Sequence, residues 1–236
     1  MKDLWINKLF YYIMEGIDVI YWINLDRATE RRSHMKKILS DKRLDGIPKI
    51  RFSALDSKKI ELNDYFNMKK DILSVNFRVT KNEYACLLSH LETIRTFANS
   101  QYSMALILED DIVFHKKTNT IQHVIENSPK DWDIIRLSSP AKYPRINKKY
   151  RSFTVKCNKT HCTADWGTQA YLIHKKAAKR LLDLLYNKKY TLNNDTFHVA
   201  DYLLYDTLKT YTFKRPFFDN RKNNDSFIQT RKNIFY

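Results

Sequence analysis

With 236 residues, 43% of them hydrophobic and 14% aromatic, the chain carries enough apolar surface for one domain with a sizeable core. A formal charge of +16 suits nucleic acid, an anionic membrane, an acidic polymer or a nucleotide-sugar as partner, and equally a solvated basic surface. The three glycines (Gly16, Gly46 and Gly167) exclude a P-loop and a Gly-x-Gly-x-x-Gly turn, so any bound diphosphate must be held by a metal or by basic side chains.

In chain order, residues 4–14 read as an amphipathic helix packed on the domain. Asp3 and Glu15 flank this stretch and no small-residue cleavage site follows, so it does not read as a signal peptide. No run approaches the roughly 18 apolar residues of a membrane span, and a cytoplasmic protein is expected. Asp18–Leu25 is the first strand, β-branched and aromatic enough to be buried on both faces. A charged helix follows over Thr29–Leu39, then a second strand over Ile47–Leu55 and an irregular polar stretch to Val79. Thr80-Lys81-Asn82-Glu83 has capping-box spacing and opens a helix whose apolar face is Leu87, Leu88, Leu91, Ile94 and Phe97. Further strands are expected over Tyr102–Leu108, Asp133–Leu137 and Gln169–His174, with a helix over Lys175–Leu185. Alternating strands and helices predict a single α/β domain over residues 1–236, with a largely parallel sheet flanked by helices.

The strongest chemical signal is Glu109-Asp110-Asp111 at the end of an apolar strand. Carboxylates are costly to bury unless paired or metal-bound, and strand ends of an open α/β sheet are where ligands bind. Glu109 and Asp111 therefore offer oxygens to Mg²⁺ or Mn²⁺, with Asp110 turned away by strand alternation. A solvent-exposed acidic turn is the competing reading. Asn24, Asp26 and Arg27 end the first strand and Arg31 and Arg32 follow on the next helix, where arginine forks suit a diphosphate or merely decorate a wet face. Cys157 and Cys162 allow a short-loop pair or a metal site with His161, against two unpaired thiols.

Together these segments resemble glycosyltransferase family 25. The resemblance is carried by VIYWINLDRATERRSHMKKIL, Phe52-Ser53-Ala54-Leu55-Asp56, the run from Asn82 to His90, Ala105 to Asp111, Gly167 to Ile173, Lys176-Ala177-Ala178 and Asp201-Tyr202-Leu203, in the family's order. Departures are Ser57 in place of a glycine, Asn82 and Ala85 beside Glu83, and a loosely matching Pro216–Ile228. The resemblance implies a GT-A type fold, a UDP-sugar donor, a divalent cation (Mn²⁺ or Mg²⁺) on Glu109 and Asp111, and inversion at the anomeric carbon. It places donor contacts at Asn24, Arg27 and Arg31, with Asp110 touching the ribose or sugar. Glu83, Ser89 and His90 match the family's glutamate and serine-histidine pair. Helix capping by Glu83 and a hydrogen-bonded core position for His90 stand beside catalytic roles. Asp201 matches an acidic position and is the expected base, with Asp165 and Asp195 in reserve; a first-turn helix acid is its alternative. Asp225 is a further metal ligand to test. The acceptor is a glycan, a lipooligosaccharide or a hydroxylysine-type protein site, and the basic charge permits peripheral contact with an anionic membrane. A basic nucleic-acid-binding protein and an inactive transferase-like scaffold are the rival readings. The first leaves the acidic strand end unexplained.

Overall fold

In a computed structural model, the structure describes residues 16–59, 80–115, 121–138, 153–155, 167–186, 199–213 and 216–221. The expected helix over 4–14 lies outside these residues, as do Cys157, His161, Cys162, Asp165, Asp195 and Asp225. The elements run β1 (Val19–Asn24), α1 (Thr29–Leu39), β2 (Lys49–Ser53), α2 (Lys81–Ala98), β3 (Met104–Glu109), β4 (Ile112–Phe114), α3 (Ile121–Glu126) and β5 (Ile134–Arg136). There follow β6 (Phe153–Val155), β7 (Ala170–His174), α4 (Lys175–Tyr186), α5 (Ala200–Thr207), β8 (Thr210–Phe213) and β9 (Phe218–Asn220).

Seven strands form one sheet in the order β2-β1-β3-β7-β5-β8-β6, and β4 pairs with β9 in a small second ribbon. The strands β2, β1 and β3 are mutually parallel, as are β5 and β8. β7 runs antiparallel to both β3 and β5. The fold is mixed α/β: β2, β1, β3, β5 and β8 point the same way, β7 runs against them at the centre of the sheet, and helices cover both faces.

Strand alternation sorts the core into two layers. Val19, Tyr21 and Ile23 of β1 face the side covered by α2, α4 and α5, where Leu87, Ile94, Leu181 and Leu204 pack. Ile20 and Trp22 face Met35 and Leu39 of α1 and Val124 of α3. All six residues of β1 are buried, which is why its sequence reads as a continuous apolar run. The capping box at the start of α2 forms in full: Thr80 Oγ1 accepts from Glu83 N–H, and Glu83 Oε2 accepts from Thr80 N–H. A cap of this kind contributes about 1 kcal/mol. Among the described residues no helix is long and apolar enough to cross a membrane.

Candidate functional site

The parallel register fixes where polar chemistry begins. Ile23 lies opposite Glu109 and Asn24 opposite Ser53, so Asn24 and Asp110 emerge together where β1 and β3 end. Because β7 is antiparallel, it contributes its beginning rather than its end to the same edge. Leu108 pairs with Ala170, and Glu109 N–H donates to the Gln169 carbonyl at 2.8 Å. Thr168 thereby donates its hydroxyl to Glu109 Oε1 at 2.7 Å. The β4–β9 ribbon brings the far end of the chain to this corner, and Arg221 N–H donates to the Asp111 carbonyl at 2.7 Å.

Asn24 is the hub. Its buried amide donates to Asp110 Oδ2 at 2.7 Å and to the Ala28 carbonyl at 3.2 Å. Its Oδ1 accepts from Arg32 Nε and Arg51 Nε, each at 3.1 Å. Both donors and both lone pairs are thus occupied, and no leucine or aspartate could replace this set of bonds. Arg51 also bonds Asp26, and Arg31 Nη1 reaches Asp110 Oδ1 at 2.8 Å and Asp111 Oδ2 at 3.5 Å. Arg27 pairs with Asp56 at 2.7 Å.

The alternation expected along Glu109-Asp110-Asp111 does not occur. β3 ends at Glu109, and Asp110 and Asp111 form a turn before β4. Freed from the two-residue period, they converge on the same guanidinium. Asn24, Arg27, Arg31, His90, Glu109, Asp110 and Asp111 line one polar cavity of about 260 Å³, which Ser57, Asn82, Gln169, Asn220 and Arg221 complete.

Three carboxylates and three arginines line this cavity, with the carboxylates consecutive at one corner. Burial works against ionised Glu109, but the His90 imidazole, the Thr168 hydroxyl and the Arg31 charge together hold its carboxyl below the ordinary value. His90 Nε2 lies 3.4 Å from Glu109 Oε1. Asp111 goes the other way: burial first, then the neighbouring Glu109 charge, push it up to about 7 against the pull of Arg31. Its Oδ1 is buried without a hydrogen-bond partner. Asp111 Oδ1 and the Glu109 carboxylate could offer hard oxygen ligands of the kind Mn²⁺ or Mg²⁺ takes, while among the described residues the three ligand atoms that lie within 4.8 Å of one another belong to Cys86, His90 and Glu109.

The other expected site residues fall in different places. His90 is fully buried at the cavity floor, its Nδ1 3.0 Å from the Tyr171 hydroxyl. Ser89 ties α2 to the segment after β2, accepting from Leu55 N–H at 2.9 Å and donating to the Ala85 carbonyl. Glu83 sits in the helix cap and does not line the cavity. Asp201, in the first turn of α5, also lies behind the lining. Its Oδ2 accepts from Gly167 N–H at 2.9 Å and its Oδ1 from Tyr202 N–H at 3.0 Å. Tyr205 donates its hydroxyl to the Gly167 carbonyl at 2.6 Å, so α5 grips both backbone polar groups of that residue. Gly167 has φ +104°, a backbone conformation that strains any residue with a Cβ and so favours glycine. Thr168, Arg51, Asn220 and Arg221 were given no role from sequence. Only Thr168 carried a signal, through its place in the Gly167–Ile173 motif.

The sequence profile of glycosyltransferase family 25 (LPS biosynthesis protein) matches residues 17–198. The chain belongs to glycosyltransferase family 25. Relatives within that family include human procollagen galactosyltransferase 2, 24% identical over 178 residues, and Xenopus laevis procollagen galactosyltransferase 1-A, 25% identical over 180 residues. Each alignment covers 71% of this chain and 28% of the relative, so the chain spans just over a quarter of their length. A Drosophila melanogaster glycosyltransferase 25 family member is 32% identical over 105 residues, 42% of this chain and 17% of its own. Among solved structures, a glycosyltransferase involved in glycosylation of the major capsid of PBCV-1 superposes with a TM-score of 0.44 at 10% identity, over 88% of this chain and 93% of its own. The polar cavity of this family 25 chain lies at the strand ends, where open α/β sheets bind their ligands.

Proposed function

We propose that this family 25 chain is a GT-A type hexosyltransferase, moving galactose or glucose from UDP to a glycan, lipooligosaccharide or hydroxylysine-type acceptor with inversion. The names of the procollagen galactosyltransferase relatives favour galactose. The observation that carries the reading is the acidic corner: Glu109, Asp110 and Asp111 gathered in one polar cavity, with Asp111 Oδ1 buried and without a hydrogen bond.

Arg27, Arg31 and Arg221 line the cavity, but each already faces a carboxylate, so a diphosphate brought against Glu109, Asp110 and Asp111 favours a further positive charge entering with it. Glu109 and Asp111 would hold a divalent cation, which supplies Lewis-acid stabilisation of the departing UDP. Asn24 and Arg31 fix Asp110 from two sides, leaving its carboxylate rigid for a hydroxyl of the donor. Arg27 and Arg31, each anchored at the cavity wall by a carboxylate, add guanidinium donors for the phosphate oxygens. In an inverting displacement the acceptor oxygen bonds the anomeric carbon as the bond to UDP breaks, and a base removes the acceptor proton. Asp201 is proposed for that base; burial, opposed by the Gly167 and Tyr202 N–H groups, raises its carboxyl above the ordinary value, toward the range a base needs.

The raised Asp111 carboxyl gives metal binding a pH signature. Below about 7 the group is protonated and must release that proton to become a ligand. Mn²⁺ affinity should therefore rise by about tenfold per pH unit up to about pH 7 and then level off. In metal-free protein the sign is opposite. The unfolded chain ionises this carboxyl first, so its contribution to stability is present at low pH and is lost as pH rises through about 7. Calorimetric Mn²⁺ titrations between pH 5.5 and 8 check the first and thermal melts of metal-free protein at lower and higher pH the second; a flat affinity would remove Asp111 from the site.

The function itself is tested by a hydrolysis screen of UDP-glucose, UDP-galactose and UDP-N-acetyl sugars, each with and without Mn²⁺. Release of UDP from a hexose donor only when Mn²⁺ is present is the expected result. Release that ignores the metal, or none from any donor, would defeat the proposal.

A further inference from the structure

Behind the acidic corner, a second set of ligand atoms converges, of softer character. Cys86 Sγ, a ring nitrogen of His90 and a Glu109 carboxylate oxygen all lie within 4.8 Å of one another. Cys86 and His90 are four residues apart on α2 and so share one helix face. β3 delivers Glu109 opposite them. His90 is fully buried, and its Nε2 has no hydrogen-bond partner although it points at Glu109 Oε1 from 3.4 Å.

The spacing suits a tetrahedral ion. Ligands bonded to zinc at about 2.0–2.3 Å lie roughly 3.3–3.6 Å from each other, and the His90–Glu109 pair already stands at that separation. The imidazole is held from behind, as metal-bound histidines usually are, by the Tyr171 hydroxyl at Nδ1. The Tyr171 hydroxyl can donate to Nδ1 or accept from it, and in the second case the Nε2 lone pair is free to ligate an ion that also bonds Glu109. Cys86 lines the cavity, which gives an ion a route in and leaves a fourth position open to water.

We propose that Cys86, His90 and Glu109 form a binding site for a thiophilic divalent cation, Zn²⁺ or a chemical equivalent, distinct in preference from the hard-ion pair Glu109 and Asp111. A thiolate and an imidazole select against Mn²⁺ and Mg²⁺ and in favour of zinc. The two sites share Glu109, so they cannot both be filled with full coordination. Zn²⁺ therefore inhibits by withdrawing Glu109 from the catalytic cation. That inhibitory consequence rests on the function proposed above; binding of the soft ion does not.

Co²⁺ alone and Zn²⁺ alone are the probes, titrated into protein carrying Cys157→Ser and Cys162→Ser so that Cys86 is the one thiol left. Co²⁺ should produce a thiolate-to-metal absorption band in the near ultraviolet, and Zn²⁺ should bleach it. In the same background Cys86→Ser should lose the band and weaken Zn²⁺ binding by ~100-fold or more, since even the partner behind a ligand is worth about 10–100-fold. Cys86→Ala is the second variant should serine disturb the buried helix face, with the thermal midpoint of metal-free protein reporting the fold. Absence of the band in the Cys86 protein, or unchanged Zn²⁺ affinity in folded variants of Cys86, overturns the site. A band accompanied by no Zn²⁺ inhibition of Mn²⁺-dependent donor hydrolysis upholds the site and overturns the part assigned to Glu109 in turnover.

Discussion

Glu109→Ala and Asp111→Ala should each abolish metal-dependent UDP binding and reduce turnover by about 10²-fold or more, the scale on which several kcal/mol of leaving-group stabilisation is lost. Either change removes one of two protein oxygens proposed for the cation, and the survivor cannot hold it against water. The two variants should differ in stability. Asp111 is a buried carboxyl whose ionisation is opposed by burial and by Glu109, so alanine relieves the metal-free fold above pH 7. Glu109 accepts from Thr168 and faces His90, and its removal leaves both without that partner, at a cost of about 1–3 kcal/mol. Mn²⁺ titrated in the presence of UDP, alongside thermal melts, reads both effects. Binding curves identical to wild type would reduce the triplet to an acidic turn.

Asp201→Asn should lower transfer about 10²-fold or more while leaving donor binding nearly intact, if the carboxylate accepts the acceptor's proton. The structure adds a complication that a shape argument alone would miss. Both Asp201 oxygens accept backbone N–H groups, so an amide can keep only one of the two bonds. A mild fall in melting temperature is therefore expected as well. The diagnostic is the pH profile of kcat: if Asp201 is the base, the acid limb disappears with its carboxylate. A clamp on Gly167 alone would preserve that limb and weaken Mn²⁺ affinity through the Thr168–Glu109 contact instead. Wild-type transfer by Asp201→Asn would send the role of base to Asp165 or Asp195.

Where structure follows from local chemistry, it could be read in advance. β1 is a continuous apolar run because both its faces are covered, and α2 starts at Thr80 because the Thr80–Glu83 exchange satisfies its first N–H groups. α1 spans Thr29–Leu39 as its charge pattern suggested. By contrast β8, β9 and β4 have four, three and three residues, too few for a period of two to stand out. The turn at Asp110 escaped for a related reason: in Leu108-Glu109-Asp110-Asp111-Ile112 nothing local marks where pairing stops. The convergence of Asn24 and Arg31 on Asp110 spans 86 and 79 residues. Only a family pattern ties such positions together in one dimension. The partners of Asp201 were hidden for the same reason, since its grip on Gly167 crosses 34 residues.

The β4–β9 ribbon has a consequence in time as well as in space. The Asp111 carbonyl receives its backbone donor from Arg221, so the acidic corner draws on residues from 24 to 221 of 236. On a ribosome that delivers the chain from its amino end, β1, α1 and β3 can dock while the corner still lacks one wall. Closing it means joining segments more than a hundred residues apart, the slow kind of contact in folding. The acidic corner should thus be complete only after most of the hydrophobic core has packed, making metal binding there a late reporter of folding.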